Sequence, residues 1–183
     1  MSDTVARATQ PMLGAAKLAW WRERLEELDE SVPPAEPRLR AASDRLLPRG
    51  ISGAELSNLE DGWATLLEEE IDPTRIAERG SLLFGLAARL LGGDDEKLGD
   101  AGALYALVSV GRRGVPHLLQ EARAPAQRLA RHRFPRSLRP LTGLARLAMR
   151  DLQSGEPFEP EGSPPRLAAM MRHRWSGVVT RGR

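Results

Sequence analysis

Apolar residues recur at helical spacing along most of the chain, and proline or glycine separates one periodic segment from the next. The segment around which the pattern is organised covers residues 10–30, QPMLGAAKLAWWRERLEELDE. Pro11 suits its first turn, because a helix needs no N–H donor there. Trp20 and Trp21 are adjacent and lie about 100° apart on a helix, so only a wide interface covers both. We expect the inward face to contain Leu13, Ala16, Trp20, Leu25 and Leu28.

Further helices are predicted wherever the same periodicity returns. Ser52 and Glu55 have the spacing of a capping box, in which each side chain accepts a hydrogen bond from a free N–H of the first turn. Asp72 followed by Pro73 predicts an N-cap and a proline at the first helical position. The proline- and glycine-rich stretch 154–165 predicts a linker. The predicted helices cover residues 38–47, 52–70, 73–91, 100–110, 116–133, 138–153 and 165–175.

Composition also favours helix over sheet. Leucine, alanine, arginine and glutamate are abundant, valine and isoleucine are scarce, and only 4% of the residues are aromatic. A chain of 183 residues suits one domain with a sizeable core. We therefore predict an all-α, single-domain helical bundle over residues 1–153. A linker, a short helix and a basic tail follow over residues 154–183. The lack of cysteine excludes disulfides and thiolate chemistry.

Charge is distributed unevenly along the chain, although the net charge is only +2. Residues 1–100 contain 12 basic and 20 acidic side chains, whereas residues 101–183 contain 15 and 5. A basic C-terminal half suits phosphate, an anionic lipid surface or an acidic protein partner. The alternative is an ordinary solvated surface rich in arginine. Nucleic acid is not an expected partner, because no recognised motif or aromatic interleaving accompanies the arginines. The arginines of the basic segment between residues 112 and 139 are Arg112, Arg113, Arg123, Arg128, Arg131, Arg133, Arg136 and Arg139.

The hydropathy pattern predicts neither a signal peptide nor a membrane span. The first residues lack an apolar core of signal-peptide type, and the longest uncharged run, residues 101–111, is too short to cross a bilayer. We expect a cytoplasmic protein. Peripheral contact with the inner membrane through the basic C-terminal half is an additional option.

Two stretches of the sequence are similar to a known family. Residues 10–14 (QPMLG) and 17–22 (KLAWWR) resemble a segment of bacterial squalene/phytoene synthase relatives, in which a Glu-Pro-apolar-apolar-Gly run precedes an Arg/Lys-Leu-x-Trp-Trp-Arg helix. Residues 77–83 (AERGSLL) are a weaker match to the same family's mid-domain helix. Gln10 replaces the usual glutamate, and Lys17 stands where arginine is common. The resemblance implies the isoprenoid synthase fold, while a tryptophan-rich helix in an unrelated bundle is the alternative.

The aspartate motifs of active family members are missing. Those enzymes hold Mg²⁺ between two Asp-x-x-x-Asp helices, because carboxylates one helical turn apart can bridge the metal and a diphosphate. The resemblance places the first motif before Pro11, where only Asp3 stands, and we expect the chain to be shortened there. It places the second within residues 98–114. The only carboxylate in that segment is Asp100, which we predict to be a helix N-cap. Val108, Ser109 and Val110 cannot hold a divalent cation.

Other acidic residues and the histidines give no stronger site. Glu68 and Asp72 are four residues apart, and residues 94–96 (DDE) form an acidic cluster, but both groups fall at helix ends or in loops. The histidines lack neighbouring ligands, which disfavours zinc or histidine catalysis. They are His117, His132 and His173.

The resemblance implies a binding role without catalysis. We expect a non-catalytic squalene/phytoene synthase-like protein that binds an isoprenoid or other lipid, or a protein partner, and that has no cofactor. One version is an assembly factor for a respiratory complex, a role of some aspartate-poor relatives. The alternatives are an active prenyl-diphosphate synthase, which would need Mg²⁺, and an unrelated helical interaction module. The ligand-facing candidates are Lys17, Leu18, Trp21, Arg22, Ser81 and Leu82.

Overall fold

The computed structural model describes Met1, Val5 and residues 10–180, and within these the regular secondary structure is helical. The prediction of an all-α protein is confirmed. An isolated antiparallel bridge joins Arg133 and Val178, and the described residues contain no β-strand. None of the described helices is long and apolar enough to cross a bilayer. The helices are α1 Pro11–Glu26, α2 Pro37–Arg45, α3 Gly53–Ser57, α4 Asp61–Ala64, α5 Pro73–Leu90, α6 Leu98–Gly111, α7 Leu118–Glu121, α8 Arg123–Arg128, α9 Arg139–Ser154 and α10 Pro164–Ser176.

The chain forms two compact units, Met1–Arg75 and Ile76–Arg183, and the division falls inside the first turn of α5. The sequence instead predicts a boundary between residues 153 and 154, because the composition changes there to a proline- and glycine-rich stretch. Residues 154–180 do contain a non-helical linker and a further helix, but α10 packs on α9 in the second unit. Asp3 and the tail residues 181–183 lie outside the described residues.

The face that α1 presents to the interior of the first unit agrees only in part with the predicted one. Gly14, Leu18 and Leu25 are buried within it, and Leu28 is buried in the 3₁₀ turn that follows. These positions repeat with the spacing of a single helical stripe. The predicted inward residues Leu13, Ala16 and Trp20 are exposed. The prediction is confirmed for Leu25 and Leu28 and was wrong for the other three residues. It weighted the bulky tryptophan and did not count a small glycine as part of the buried stripe.

The predicted capping box at the start of α3 is confirmed. Ser52 Oγ accepts the Glu55 N–H, and the Glu55 carboxylate accepts the Ser52 N–H. Asp29 also caps this helix, because its carboxylate accepts the N–H groups of Gly53 at 2.6 Å and of Ala54 at 2.9 Å. A Cβ on Gly53 would overlap the Leu25 carbonyl oxygen, so glycine permits this close approach to α1.

The predicted helix 52–70 is broken into α3, α4 and a 3₁₀ turn, Thr65–Leu67. Ser57 ends α3, and its hydroxyl lies 2.8 Å from the Ala54 carbonyl oxygen, a local bond that competes with helix continuation. The predicted helix 116–133 also divides, into α7 and α8. Pro125 has no N–H to donate to the fourth residue before it, which explains why α7 does not continue through this position.

In the second unit, α5 and α6 meet backbone to backbone. A Cβ on Gly80 would overlap the Gly102 carbonyl oxygen, and a Cβ on Gly102 would overlap that of Gly80. Beside this contact, Ser81 Oγ lies 2.8 Å from the Gly99 carbonyl oxygen. Asp100 is the third residue of α6 rather than its N-cap, because the helix begins at Leu98.

Helices α6, α9 and α10 pack successively in this unit, and polar side chains of α9 fix the C-terminal segment. Arg139 donates to the carbonyl oxygens of Arg174 and Trp175, and thereby satisfies the open end of α10. Arg146 donates to the Val179 carbonyl oxygen at 2.9 Å. Buried His173 contacts Thr142 Oγ1 through Nε2 at 2.8 Å. Arginine therefore serves this interior as a hydrogen-bond donor.

Candidate functional site

A cleft of about 480 Å³ opens in the second unit beside α6 and α9. Its volume falls within the range of small-molecule sites. Apolar side chains from both helices form one part of its wall, and three arginines with two carboxylates form the other. The lining residues are Tyr105, Val108, Ser109, Arg112, Arg113, Leu144, Leu147, Ala148, Asp151, Glu161, Gly162 and Arg166.

The buried carboxylate of Asp151 organises the charged part of the cleft. Arg112 Nη1 donates to Asp151 Oδ2 at 2.6 Å, and Arg166 Nη1 donates to the other oxygen, Oδ1. The Asp151 side chain is only 4% exposed. A single buried carboxylate thus holds two guanidinium groups side by side, a geometry that charge-assisted hydrogen bonds favour. Because two positive charges face one negative charge, the cluster retains a net positive charge.

The linker before α10 supports the same cluster. Arg112 Nη2 donates to the Glu159 carbonyl oxygen at 3.1 Å, and its guanidinium carbon lies 5.2 Å from the centre of the Phe158 ring. The Glu159 carboxylate accepts two hydrogen bonds from Arg150, at 2.8 and 2.5 Å. The Arg150 guanidinium lowers the pKa of the Glu159 carboxyl. The linker is therefore fastened to α6 and α9 by arginine contacts.

Further positive charge lies near Tyr105 and Arg113. Arg79 of α5 is buried, and burial lowers the pKa of its guanidinium to about 10. The nearby Tyr105 raises the pKa of Arg79, and the positive charge of Arg113 lowers it further. Arg79 is still protonated at neutral pH. Arg113 is itself exposed, so an anion can approach its guanidinium from solvent.

The arrangement suits an amphipathic anion better than a metal ion. Val108, Leu144 and Leu147 offer an apolar wall, and Arg113 offers an accessible guanidinium beside it. Mg²⁺ would require several free carboxylate oxygens, but both oxygens of Asp151 already accept arginine hydrogen bonds, which leaves Glu161 as the single other carboxylate among the lining residues. Within residues 10–180, no group of three or more His, Cys, Asp or Glu side chains is placed to hold a metal ion.

The ligand-facing candidates predicted in α1 lie in the first unit. Lys17 is exposed and Leu18 is fully buried. Trp21 is half-buried and packs against the core that contains Leu25 and Leu28. Its indole meets the Trp20 ring edge to face, with the ring centres 5.1 Å apart.

Arg22 forms an ion pair with Glu60 at 3.8 Å. Burial raises the pKa of the Glu60 carboxyl, and Arg22 opposes that rise. Arg22 thus partly offsets the cost of burying Glu60, a structural role that the sequence did not suggest.

The two candidates predicted in α5 are half-buried. The Ser81 hydroxyl donates to the Gly99 carbonyl oxygen of α6, and Leu82 is the next residue along the helix. None of the six predicted residues lines the described cleft. Their role in ligand binding stays a prediction.

The sequence did not reveal the charged cluster, although the resemblance drew attention to one segment that lines the cleft. Val108, Ser109, Arg112 and Arg113 belong to the segment where the resemblance places the second aspartate motif. Asp151 gave no signal of its own, because its arginine partners are 39 and 15 residues away. Arg112 and Arg139 belong to the basic segment for which the sequence suggests an anionic or acidic partner, and that expectation stays a prediction. Both donate to internal acceptors, Asp151 and the last carbonyl groups of α10.

The sequence matches no known protein family, no curated protein is significantly similar to it, and no solved structure matches it significantly. The assignment to the squalene/phytoene synthase relatives stays a prediction.

Proposed function

We propose that this protein is a non-catalytic binder of an amphipathic anion, such as an isoprenoid diphosphate or another lipid phosphate. The ligand would lay its apolar chain against Val108, Leu144 and Leu147 and direct its anionic group toward Arg113 and the Arg112–Asp151–Arg166 cluster. The observation that carries the proposal is the apolar wall directly beside three arginines that face only two carboxylates.

Charge and shape both support this ligand class. Guanidinium groups bind phosphate in a fixed, planar geometry, and those of Arg112 and Arg166 are held by Asp151 before any ligand arrives. Such preorganisation reduces the ordering cost of binding. The hydroxyl groups of Tyr105 and Ser109 add neutral hydrogen-bonding groups to the wall.

The squalene/phytoene synthase resemblance supplies one specific form of the proposal. The chain would be an aspartate-poor pseudoenzyme of terpenoid biosynthesis, or an assembly factor of the respiratory type, acting in the cytoplasm or at the inner membrane. Val108 and Ser109 stand in the segment predicted for the second metal motif and now line the cleft. An apolar side chain and a hydroxyl there favour binding of a prenyl chain over binding of Mg²⁺.

A thermal-shift titration tests the proposal. The full chain is titrated with farnesyl diphosphate, geranylgeranyl diphosphate, farnesol and inorganic pyrophosphate, each with and without Mg²⁺. A ligand at 100 times its Kd adds about 2.7 kcal/mol, which corresponds to a rise in Tm of about 5–10 °C for a chain of this size. We expect the prenyl diphosphates to raise the Tm of the protein without Mg²⁺. Farnesol, which lacks the diphosphate, and pyrophosphate, which lacks the prenyl chain, should bind more weakly.

Three variants locate the binding. Arg113→Ala removes the accessible guanidinium and is expected to weaken affinity about tenfold, the factor for a charge-assisted hydrogen bond. Ser109→Phe fills the cleft and should abolish the shift. Arg123→Ala, an exposed arginine outside the lining, is the control and should leave binding unchanged. Stabilisation that requires Mg²⁺ would instead favour the active-synthase alternative, and the absence of any shift would contradict the proposal.

A further inference from the structure

The outer face of α10 carries a stripe of exposed apolar side chains. Leu167, Met171 and Trp175 follow one another at intervals of four residues and therefore lie along one side of the helix. They are 54%, 61% and 75% exposed. An exposed apolar patch rimmed by polar residues is a common feature of interaction surfaces.

The opposite face of α10 is fixed to the second unit. Arg166 binds Asp151 near the start of the helix, and His173 contacts Thr142 near its end. Arg139 holds the last carbonyl groups, with Nη1 lying 2.8 Å from the Trp175 carbonyl oxygen. The stripe is thus held in place by contacts on the inner face.

Arginines flank the stripe, and α10 contains no acidic residue. Arg172 and Arg174 are exposed and lie on either side of Met171 on the helical wheel. Exposed Arg136 lies across a hollow that Arg174 and Trp175 also line. This hollow, about 640 Å³ in volume, is lined by three arginines, the third being Arg139, together with the exposed indole.

We propose that the Leu167–Met171–Trp175 stripe, with Arg136, Arg172 and Arg174, is a docking surface for an anionic lipid bilayer. A helix lying in the bilayer interface has apolar residues and tryptophan on one face and arginine beside them. Tryptophan suits the headgroup level, and arginine is attracted to anionic lipid. A second copy of the chain fits less well, because a symmetric contact between two such faces would bring like charges together. This surface is separate from the cleft and does not depend on a ligand there.

Vesicle sedimentation tests the surface with the full chain. We expect the protein to sediment with vesicles of phosphatidylcholine and phosphatidylglycerol, and much less with phosphatidylcholine alone. Raising the salt from about 0.1 M to about 1 M should release it, because the Debye length falls from about 10 Å to about 3 Å. Arg172→Gln and Arg174→Gln should each weaken binding about fivefold, the factor corresponding to about 1 kcal/mol per arginine near an anionic surface.

The apolar stripe has its own variants and a matched control. Met171→Glu should weaken vesicle binding roughly tenfold or more, because the substitution replaces an inserted apolar side chain with a charge that the bilayer repels. Met12→Glu, at a residue 87% exposed on α1, should leave vesicle binding unchanged. Both variants should keep the wild-type circular dichroism and Tm. Trp175→Phe should retain binding and remove most of the fluorescence blue-shift seen on adding vesicles.

Three results would overturn the proposal. The first is equal sedimentation with neutral and anionic vesicles, or with neither. The second is an equal loss of binding in Met171→Glu and Met12→Glu. The third is a dimer, detected by analytical ultracentrifugation without lipid, that Met171→Glu dissociates, since the stripe would then be a contact between two copies.

Discussion

Replacement of Asp151 by asparagine isolates the energetic role of the two-arginine cluster. The change keeps the shape of the side chain but removes the charge between Arg112 and Arg166. The Asp151 and Arg166 side chains are only 4% and 8% exposed, so solvent cannot compensate for the loss. Removal of one partner from a buried ion pair costs about 3–5 kcal/mol, because the remaining charge is left uncompensated.

This cost is a large part of the stability of an ordinary domain, which is about 5–15 kcal/mol. We expect Asp151→Asn to lower the free energy of unfolding by about 3–5 kcal/mol in urea titrations followed by circular dichroism and by tryptophan fluorescence. The corresponding fall in Tm is about 6–20 °C for a chain of this length. Glu121→Gln, at an exposed carboxylate on α7, is the control and should change the unfolding free energy by no more than about 0.5 kcal/mol.

A double-mutant cycle separates the ion pair from other effects of the substitution. Arg166→Met in the Asp151→Asn background removes one of the two uncompensated charges, so the double variant should lose less than the sum of the single losses. We expect a coupling energy of about 1–3 kcal/mol. A loss below about 1 kcal/mol for Asp151→Asn, or additive single losses, would refute the reasoning that one buried carboxylate holds the cluster together.

Three further predictions concern the fold. Gly80→Ala should lower the unfolding free energy by about 1–3 kcal/mol, because the added methyl group overlaps the Gly102 carbonyl oxygen. Gly85→Ala on the same helix adds a methyl group in open space and should raise the unfolding free energy by about 0.5–1 kcal/mol. Urea titration measures both changes, and equal effects of the two variants would contradict the close packing of α5 on α6. Burial lowers the pKa of the His173 imidazole, so the unfolded chain takes up a proton first and stability should fall as the pH drops below about 6.5. His173→Gln should remove this dependence between pH 7.5 and 5.5, and His117→Gln should not; identical slopes would contradict the assignment. Ser52→Ala should cost about 1 kcal/mol by loss of the capping bond, and an unchanged urea midpoint would argue against it.

Local signals in the sequence predicted the start of several helices correctly. Ser52 and Glu55 form their capping box, and Asp72 accepts the Thr74 N–H at the start of the helix that Pro73 begins. These interactions involve residues two or three positions apart, so the sequence contains both partners within one short window. The helix breaks at Ser57 and Pro125 are equally local, but periodicity outweighed them in the prediction.

The buried faces and the cleft depend on partners far apart in the chain. Gly14 is buried and Trp20 exposed in α1, although tryptophan has by far the larger apolar surface. Arg139 and Arg146 lie seven residues apart on the inward side of α9, and each donates to carbonyl oxygens within residues 174–179. Only the tertiary fold provides the carbonyl groups that make buried arginine acceptable.

Peptide mapping after photo-crosslinking tests the proposed binding site most directly. The full chain is irradiated with a benzophenone-bearing prenyl diphosphate, with unlabelled geranylgeranyl diphosphate as competitor, and the labelled peptides are sequenced. Binding in the cleft predicts competable label within residues 105–113, at the C-terminal end of α6 and just beyond it, or within residues 144–151 of α9. It predicts no label in Ser109→Phe. Competable label within residues 17–22, with none in α6 or α9, would contradict the cleft and favour the tryptophan helix as the ligand site.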